Sequence, residues 1–138
     1  MSSSVIALFG EAEKGDLRTI YFCKTVEQLF HFFGQPPHET EGLYYAIQAL
    51  LYGNSLVYFR VHEEGMSTKD YLFGLRLLHE YATSIPHVGA IFLPKVGSQA
   101  IINESLSVCE KHQSLLILRE ADFYDYITDH GFLTRREA

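Results

Sequence analysis

The chain has 138 residues, of which 47% are hydrophobic and 20% charged, and its formal net charge is −6. This length suits one domain with its own hydrophobic core, and the composition argues against a disordered chain. The negative charge argues against nucleic-acid binding as the main task, because that task needs a basic surface. The 10 phenylalanines and 9 tyrosines exceed what one small core needs, so some of them are expected on a partner surface.

The first four residues, 1–4, carry neither a basic segment nor a long apolar one, and no apolar run approaches transmembrane length. We therefore expect a disordered N-terminus at 1–4 and a cytoplasmic protein that does not bind membranes. Cys23 lies in an apolar, strand-like run and Cys109 on the inner face of a predicted helix. Two buried free thiols in a reducing compartment are the favoured interpretation, and a disulfide between them is the alternative.

Two strands and a helix are predicted in the first part of the chain. The unbroken apolar run Val5–Phe9 is typical of a strand that is covered on both faces. A second strand over Thr19–Cys23 follows too soon for a crossover helix, so it forms either a hairpin or an addition at the sheet edge. Thr25 opens a helix as a capping box with Gln28, and Gly34 ends it.

The prolines in residues 35–38 separate this part from a region in which helices and strands alternate. The predicted elements are a helix over 41–52, a strand over 56–62, a helix over 68–82, a strand over 88–93, a helix over 98–111, a buried strand over 115–118 and a helix over 121–129. Ser67 and Asp70 match a second capping box, and Gly131 is predicted to end the last helix. Leu106 is predicted to face the core, along with Cys109.

Alternation of helices and strands implies parallel strands joined by right-handed crossovers. The sequence therefore predicts one three-layer α/β domain over residues 5–131. Its sheet has four to five strands, is mostly parallel and carries helices on both faces. Residues 132–138 are predicted to form a frayed C-terminus.

Ligands of open α/β sheets bind beyond the carboxyl ends of the strands. In this chain those ends offer Glu11, His62, Lys95 and Ser98. Ser98 precedes a helix whose N-terminus can hold an anion, and Lys95 lies close by in sequence. The segment lacks the P-loop pattern, however, and residues 10–15 do not match the dinucleotide-binding fingerprint. A plain turn and helix cap is therefore the favoured interpretation.

No catalytic or metal-binding pattern is complete. The seven histidines lack the spacing of a metal-binding helix. The acidic loop that contains Glu11 and Glu13 has no matching acid after the strand that ends at Leu93. Cys109 and His112 lie three residues apart, but no third group completes a nucleophile, base and orienting set. The sequence therefore predicts no catalytic residue, no metal site and no cofactor.

Several short motifs resemble the contractile phage tail sheath domain. The segment Ile6–Gly15 (IALFGEAEKG), followed by Thr25–Phe30 and the stop at Gly34, is similar to its opening strand, Gly-x-x-x-x-Gly turn and first helix. The later segments that are similar to the family are Gly42–Leu51, Val57–Val61, Val88–Pro94 and Leu115–Leu118. Sheath proteins also carry inserted domains and terminal arms that join neighbouring subunits. Because such parts are absent from this sequence, the resemblance implies a stand-alone sheath-like domain, such as an assembly or baseplate-like component.

Two functional hypotheses follow. The first is a non-enzymatic structural or protein-interaction module that forms a homo-oligomer or docks on another protein, with no nucleic acid as partner. The alternative is a protein or enzyme that binds a small ligand, an anion or a nucleotide, on a flavodoxin-like scaffold. Its site would lie among Glu11, His62, Lys95 and Ser98. Whether the chain is an enzyme stays open, with the first hypothesis favoured.

Overall fold

A computed structural model of the chain describes residues 5–128. The predicted disordered N-terminus at 1–4 and the predicted frayed C-terminus at 132–138 lie outside the described residues. Gly131, the predicted end of the last helix and of the domain, also lies outside them.

Strands and helices follow one another in the predicted order. The elements are β1 (Val5–Gly10), β2 (Tyr21–Cys23), α1 (Val26–Phe33), α2 (Gly42–Leu51), β3 (Ser55–Arg60), α3 (Thr68–Glu80), β4 (Val88–Phe92), α4 (Gln99–His112), β5 (Leu115–Ile117) and α5 (Glu120–Thr128). The predicted α/β class is confirmed. None of the helices within residues 5–128 is long and apolar enough to cross a membrane.

The sheet has the strand order β2-β3-β1-β4-β5. β1 pairs in parallel with both β3 and β4, and β4 pairs in parallel with β5. β2 pairs antiparallel with β3. Of the two arrangements left open for β2, the structure therefore has the edge addition. The connection from β1 leads to β3 on one side, and the next connection leads back past β1 to β4. The topological switch point, where such folds bind ligands, thus lies between β1 and β4.

Two helices pack on each face of the sheet, and each pair forms its own buried cluster. α1 and α2 pack over β1 and β3, and their buried cluster includes Leu29, Phe33 and Leu43. α3 and α4 pack on the opposite face, where Leu75 and Ile101 are buried with the central strands. The two cores lie on either side of β1, whose apolar run is buried from both directions as predicted.

Of the two predicted capping boxes, the first forms its N-cap half, while the Gln28 side chain accepts from the Lys24 backbone N–H at 2.7 Å and not from Thr25. The Thr25 hydroxyl accepts a hydrogen bond from the Gln28 backbone N–H at 3.1 Å and caps α1. The capping box predicted for Ser67 and Asp70 is wrong, because the Ser67 hydroxyl instead accepts from the Glu63 backbone N–H at 2.7 Å. Ser67 does precede α3, as predicted. Its hydroxyl binds the loop before the helix, however, and makes no cap to the helix N–H groups.

The last strand differs most from the prediction. It was expected to be buried, yet Leu115 is 72% exposed and Ile117 is 39% exposed. β5 lies at the edge of the sheet, and only Leu116, between them, packs against the core beside α4. Leu106 of α4, predicted to face the core, is also exposed. The prediction of a buried strand is therefore wrong, because an apolar sequence does not distinguish an edge strand from a central one.

Both cysteines are buried and unpaired, as predicted. Burial raises the pKa of the Cys23 thiol to about 11, and it also raises the pKa of Cys109. Each thiol is thus held in its protonated, unreactive form at neutral pH.

Candidate functional site

A carboxylate of the chain itself lies at the carboxyl end of β1, the strand that borders the switch point. Glu64, in the loop after β3, is only 5% exposed. Its carboxylate accepts hydrogen bonds from the backbone N–H groups of Glu11 and Gly42 at 3.0 Å and of Glu41 at 2.9 Å. Two of these donors belong to the N-terminus of α2, where a helix favours negative charge. Glu64 therefore holds the position at which this kind of fold can bind an anion.

A reciprocal contact strengthens this arrangement. The Glu64 backbone N–H donates to the Glu11 carboxylate at 3.0 Å, so each glutamate binds the backbone of the other. The buried Tyr58 hydroxyl donates to the Glu11 carbonyl oxygen at 3.0 Å. Burial, together with the nearby Glu64 charge, raises the pKa of Tyr58 well above its usual value. The phenol therefore stays protonated and acts as a hydrogen-bond donor.

Two glycines allow the backbones to approach at this point. A Cβ atom on Gly42 would lie 2.6 Å from the Tyr58 hydroxyl oxygen and 2.7 Å from the Cα atom of Gly10. A Cβ atom on Gly10 would lie 2.5 Å from the same hydroxyl. Glycine is thus needed where β1 meets the start of α2, because no larger residue fits without moving backbone.

The structure places the predicted residues Glu11 and His62 in separate contacts. Glu11 is part of the reciprocal pair with Glu64 described above. His62 lies just after β3 with its side chain exposed, and its backbone N–H donates to the Asp70 carboxylate at 2.9 Å. Asp70 also accepts from the Arg18 guanidinium at 2.9 Å. Among the described residues, no hydrogen bond joins the His62 ring to Glu64 or Glu11.

Lys95 and Ser98 follow β4 and are also separate from each other. The Lys95 backbone N–H donates to the Asp122 carboxylate at 2.7 Å, and its ammonium group donates to the Glu39 carbonyl oxygen. Ser98 precedes α4 but makes no side-chain cap to the helix. Within residues 5–128, no hydrogen bond or ion pair joins any two of the four predicted side chains. A ligand site composed of these four stays a prediction.

A cluster of Arg119 with two carboxylates at the same edge of the sheet was not predicted from the sequence. Arg119 donates through Nε and Nη2 to Asp122, at 2.8 and 2.7 Å, and through Nη1 to Glu41 at 2.7 Å. The Asp122 carboxylate, through its hydrogen bonds and charge, raises the pKa of Arg119 above its usual value, and Glu41 adds to this effect. The three-residue spacing of Arg119 and Asp122 is a usual signal for such a pair on a helix. The contact with Glu41, 78 residues away, carries no local signal.

Next to this cluster, the β5 end of one sheet face is exposed, because Leu115 and Ile117 are exposed within the described residues. Phe92 pairs with Ile117 in the β4–β5 register, and Ala90 pairs with Leu115, so these side chains share the face on which α2 lies. Phe92 packs against Tyr45 of α2, with ring centroids 4.6 Å apart. Beyond Phe92 the surface opens into a groove of about 720 Å³. We call the exposed residues Leu115 and Ile117 the open face.

No family model matches this chain, and no curated protein matches it significantly. Within residues 5–128, no three His, Cys, Asp or Glu side chains are grouped so that they could hold a metal ion. The carboxylates at the carboxyl edge are instead bound to backbone N–H groups and to Arg119.

Proposed function

We propose that the chain is a non-enzymatic structural module that self-associates through β5, in keeping with its resemblance to the core domain of contractile tail sheaths. One observation carries the proposal: an exposed strand at the sheet edge is composed entirely of apolar residues. Two buried, unpaired cysteines favour a reducing compartment such as the cytoplasm as its place of action.

Edge strands are usually protected against pairing by a charge, a proline or a bulge. β5 has the sequence Leu-Leu-Ile and lacks all three of these features. Within the described residues it pairs with β4 alone, which leaves the backbone groups along its other edge available. A second copy of β5, related by a two-fold axis, satisfies these groups by antiparallel pairing. Because the strand carries no charge, no like charges oppose each other across such a pair.

Neighbouring surfaces extend this contact on both faces of the sheet. The open face lies on one side of β5. On the other side, Leu116 and Leu118 line an apolar groove of about 690 Å³ with Leu106 and Phe123. A stable interface buries about 800 Å² on each partner, more than a three-residue strand supplies. We therefore include the exposed Leu106 and Phe123 in the proposed contact.

The carboxyl edge of the sheet supports the same proposal. The Glu64 carboxylate already accepts the N–H groups at the N-terminus of α2 that an anion would use. An external anion would have to displace a buried, triply hydrogen-bonded group. This weighs against the alternative of an anion- or nucleotide-binding protein.

The proposal is tested by measuring the molar mass of the chain by light scattering after size exclusion, from low micromolar to submillimolar concentration. We expect a concentration-dependent dimer that Leu115→Lys abolishes while the circular dichroism spectrum is kept. Leu51→Lys is the matched control, because Leu51 on α2 is 73% exposed and Leu115 is 72% exposed. A wild-type chain that stays monomeric throughout, or equal disruption by both variants, would overturn the proposal.

A further inference from the structure

Two histidines meet at the far ends of two neighbouring helices. His79 lies in the last turn of α3 and His112 is the last residue of α4. The Nδ1 atom of His79 is 3.2 Å from the Nε2 atom of His112, and the ring centroids are 5.3 Å apart. The two residues are separated by 33 positions, so their spacing in the sequence does not predict the contact.

The nitrogen atoms face each other in the geometry of a hydrogen bond. In neutral imidazoles one nitrogen donates its proton and the other accepts it through its lone pair. When the donor ring carries its proton on its other nitrogen instead, both facing nitrogens have a lone pair. A divalent transition metal can then bind both nitrogens at once. Imidazole nitrogen is a preferred ligand of zinc, copper and nickel.

We propose that His79 and His112 form a two-histidine site for a transition-metal ion of the zinc and nickel class, clamping α3 to α4. Zn–N bonds are about 2.0–2.1 Å long. Two such bonds to nitrogens 3.2 Å apart close at an angle of about 100° at the metal, near the tetrahedral value that zinc adopts. The observed separation thus needs no movement of the helices, but the two rings must turn so that both lone pairs point at the ion.

The core packing between the helices holds the backbones of the two histidines in place. Leu78 precedes His79, Val108 lies one turn before His112, and both are buried in the core cluster between the helices. The His79 side chain itself is exposed and can turn toward an ion. Water completes the coordination, since the described residues provide no group of three ligands. Two protein ligands give an exchangeable ion rather than a structural one.

This inference is independent of self-association through β5. An ion that binds both helices stabilises the folded chain in proportion to the logarithm of its concentration above Kd. The unfolded chain offers the same imidazoles far apart, so its affinity for the ion is lower. The site therefore makes the stability of the α3–α4 pair depend on available metal.

The test uses the full, tag-free chain with zinc chloride or nickel chloride alone as probe. Calorimetric titration should give one ion per chain, and thermal melting should shift upward with metal and return with chelator. His79→Ala and His112→Ala should each weaken binding at least tenfold. The control is His31→Ala, because His31 is an exposed helical histidine whose ring contact is with Phe32.

His112→Gln distinguishes loss of the metal ligand from loss of folding, because it keeps a hydrogen-bonding side chain but removes the imidazole. It should fold like the wild type and lose the metal-dependent shift. Unchanged melting of the wild type with excess metal would overturn the proposal. So would metal binding that survives in the double alanine variant, or metal that acts only by joining separate chains, as light scattering would reveal.

Discussion

Glu64 offers the sharpest test of how the carboxyl edge is stabilised. Its carboxylate accepts three backbone hydrogen bonds while only 5% of the residue is exposed. Glu64→Ala leaves these three N–H groups without an acceptor. We expect a loss of about 2–4 kcal/mol in the free energy of unfolding, since each buried unsatisfied donor costs about 1–3 kcal/mol and water reaches part of the space.

Glu64→Gln has nearly the same shape and should nevertheless destabilise the chain. The amide keeps one oxygen for two of the N–H groups but turns an NH₂ donor toward the third. We expect a loss of about 1–3 kcal/mol, the cost of one unsatisfied donor. Glu63→Gln is the matched control, because Glu63 is the exposed neighbour of Glu64. It should change the free energy of unfolding by less than about 0.5 kcal/mol.

Equilibrium unfolding in urea measures these differences. The alanine variant adds a second readout, because its cavity keeps three converging N–H donors, two of them at the N-terminus of α2. Formate should therefore restore part of the lost stability, and chloride at the same ionic strength should not. A Glu64→Gln variant as stable as the wild type would refute the reasoning. If formate does not raise the free energy of unfolding of the alanine variant, the claim that Glu64 fills an anion position is wrong.

Three further predictions concern backbone packing, the thiols and a helix cap. Gly42→Ala should cost about 1–3 kcal/mol in urea unfolding, whereas Gly89→Ala, whose Cβ would lie 3.8 Å from the nearest atom, should be tolerated. At pH 8, Cys23 and Cys109 should react with Ellman's reagent only after unfolding. Because the folded-state pKa of Cys23 is raised from 9.0 to about 11, the folded chain holds this proton more tightly, and stability should fall as pH rises through this range. Thr25→Ala should cost about 1 kcal/mol, and equal stability to the wild type would contradict its role as the cap of α1.

Local sequence determined most of the element boundaries. The apolar run at Val5–Phe9 predicted a central strand because a strand covered on both faces needs no polar side chains. The Thr25 cap and the Gly34 stop bounded α1 because they satisfy backbone groups within a few residues of themselves. Alternation of helices with strands was enough to give a mostly parallel sheet, since such connections leave few topologies.

Contacts between distant residues could not be predicted in this way. Hydrophobic type placed Leu115 and Ile117 in the core, because a short apolar strand reads alike in the centre and at the edge of a sheet. The hydrogen bonds of the Glu64 carboxylate join residues up to 53 positions apart. His79 and His112 are 33 positions apart. The sequence alone thus determined which segments are strands and helices, through periodicity and capping that act locally. Only the tertiary structure decided which surfaces are left open and which side chains meet, because those depend on strand order and on contacts that span the chain.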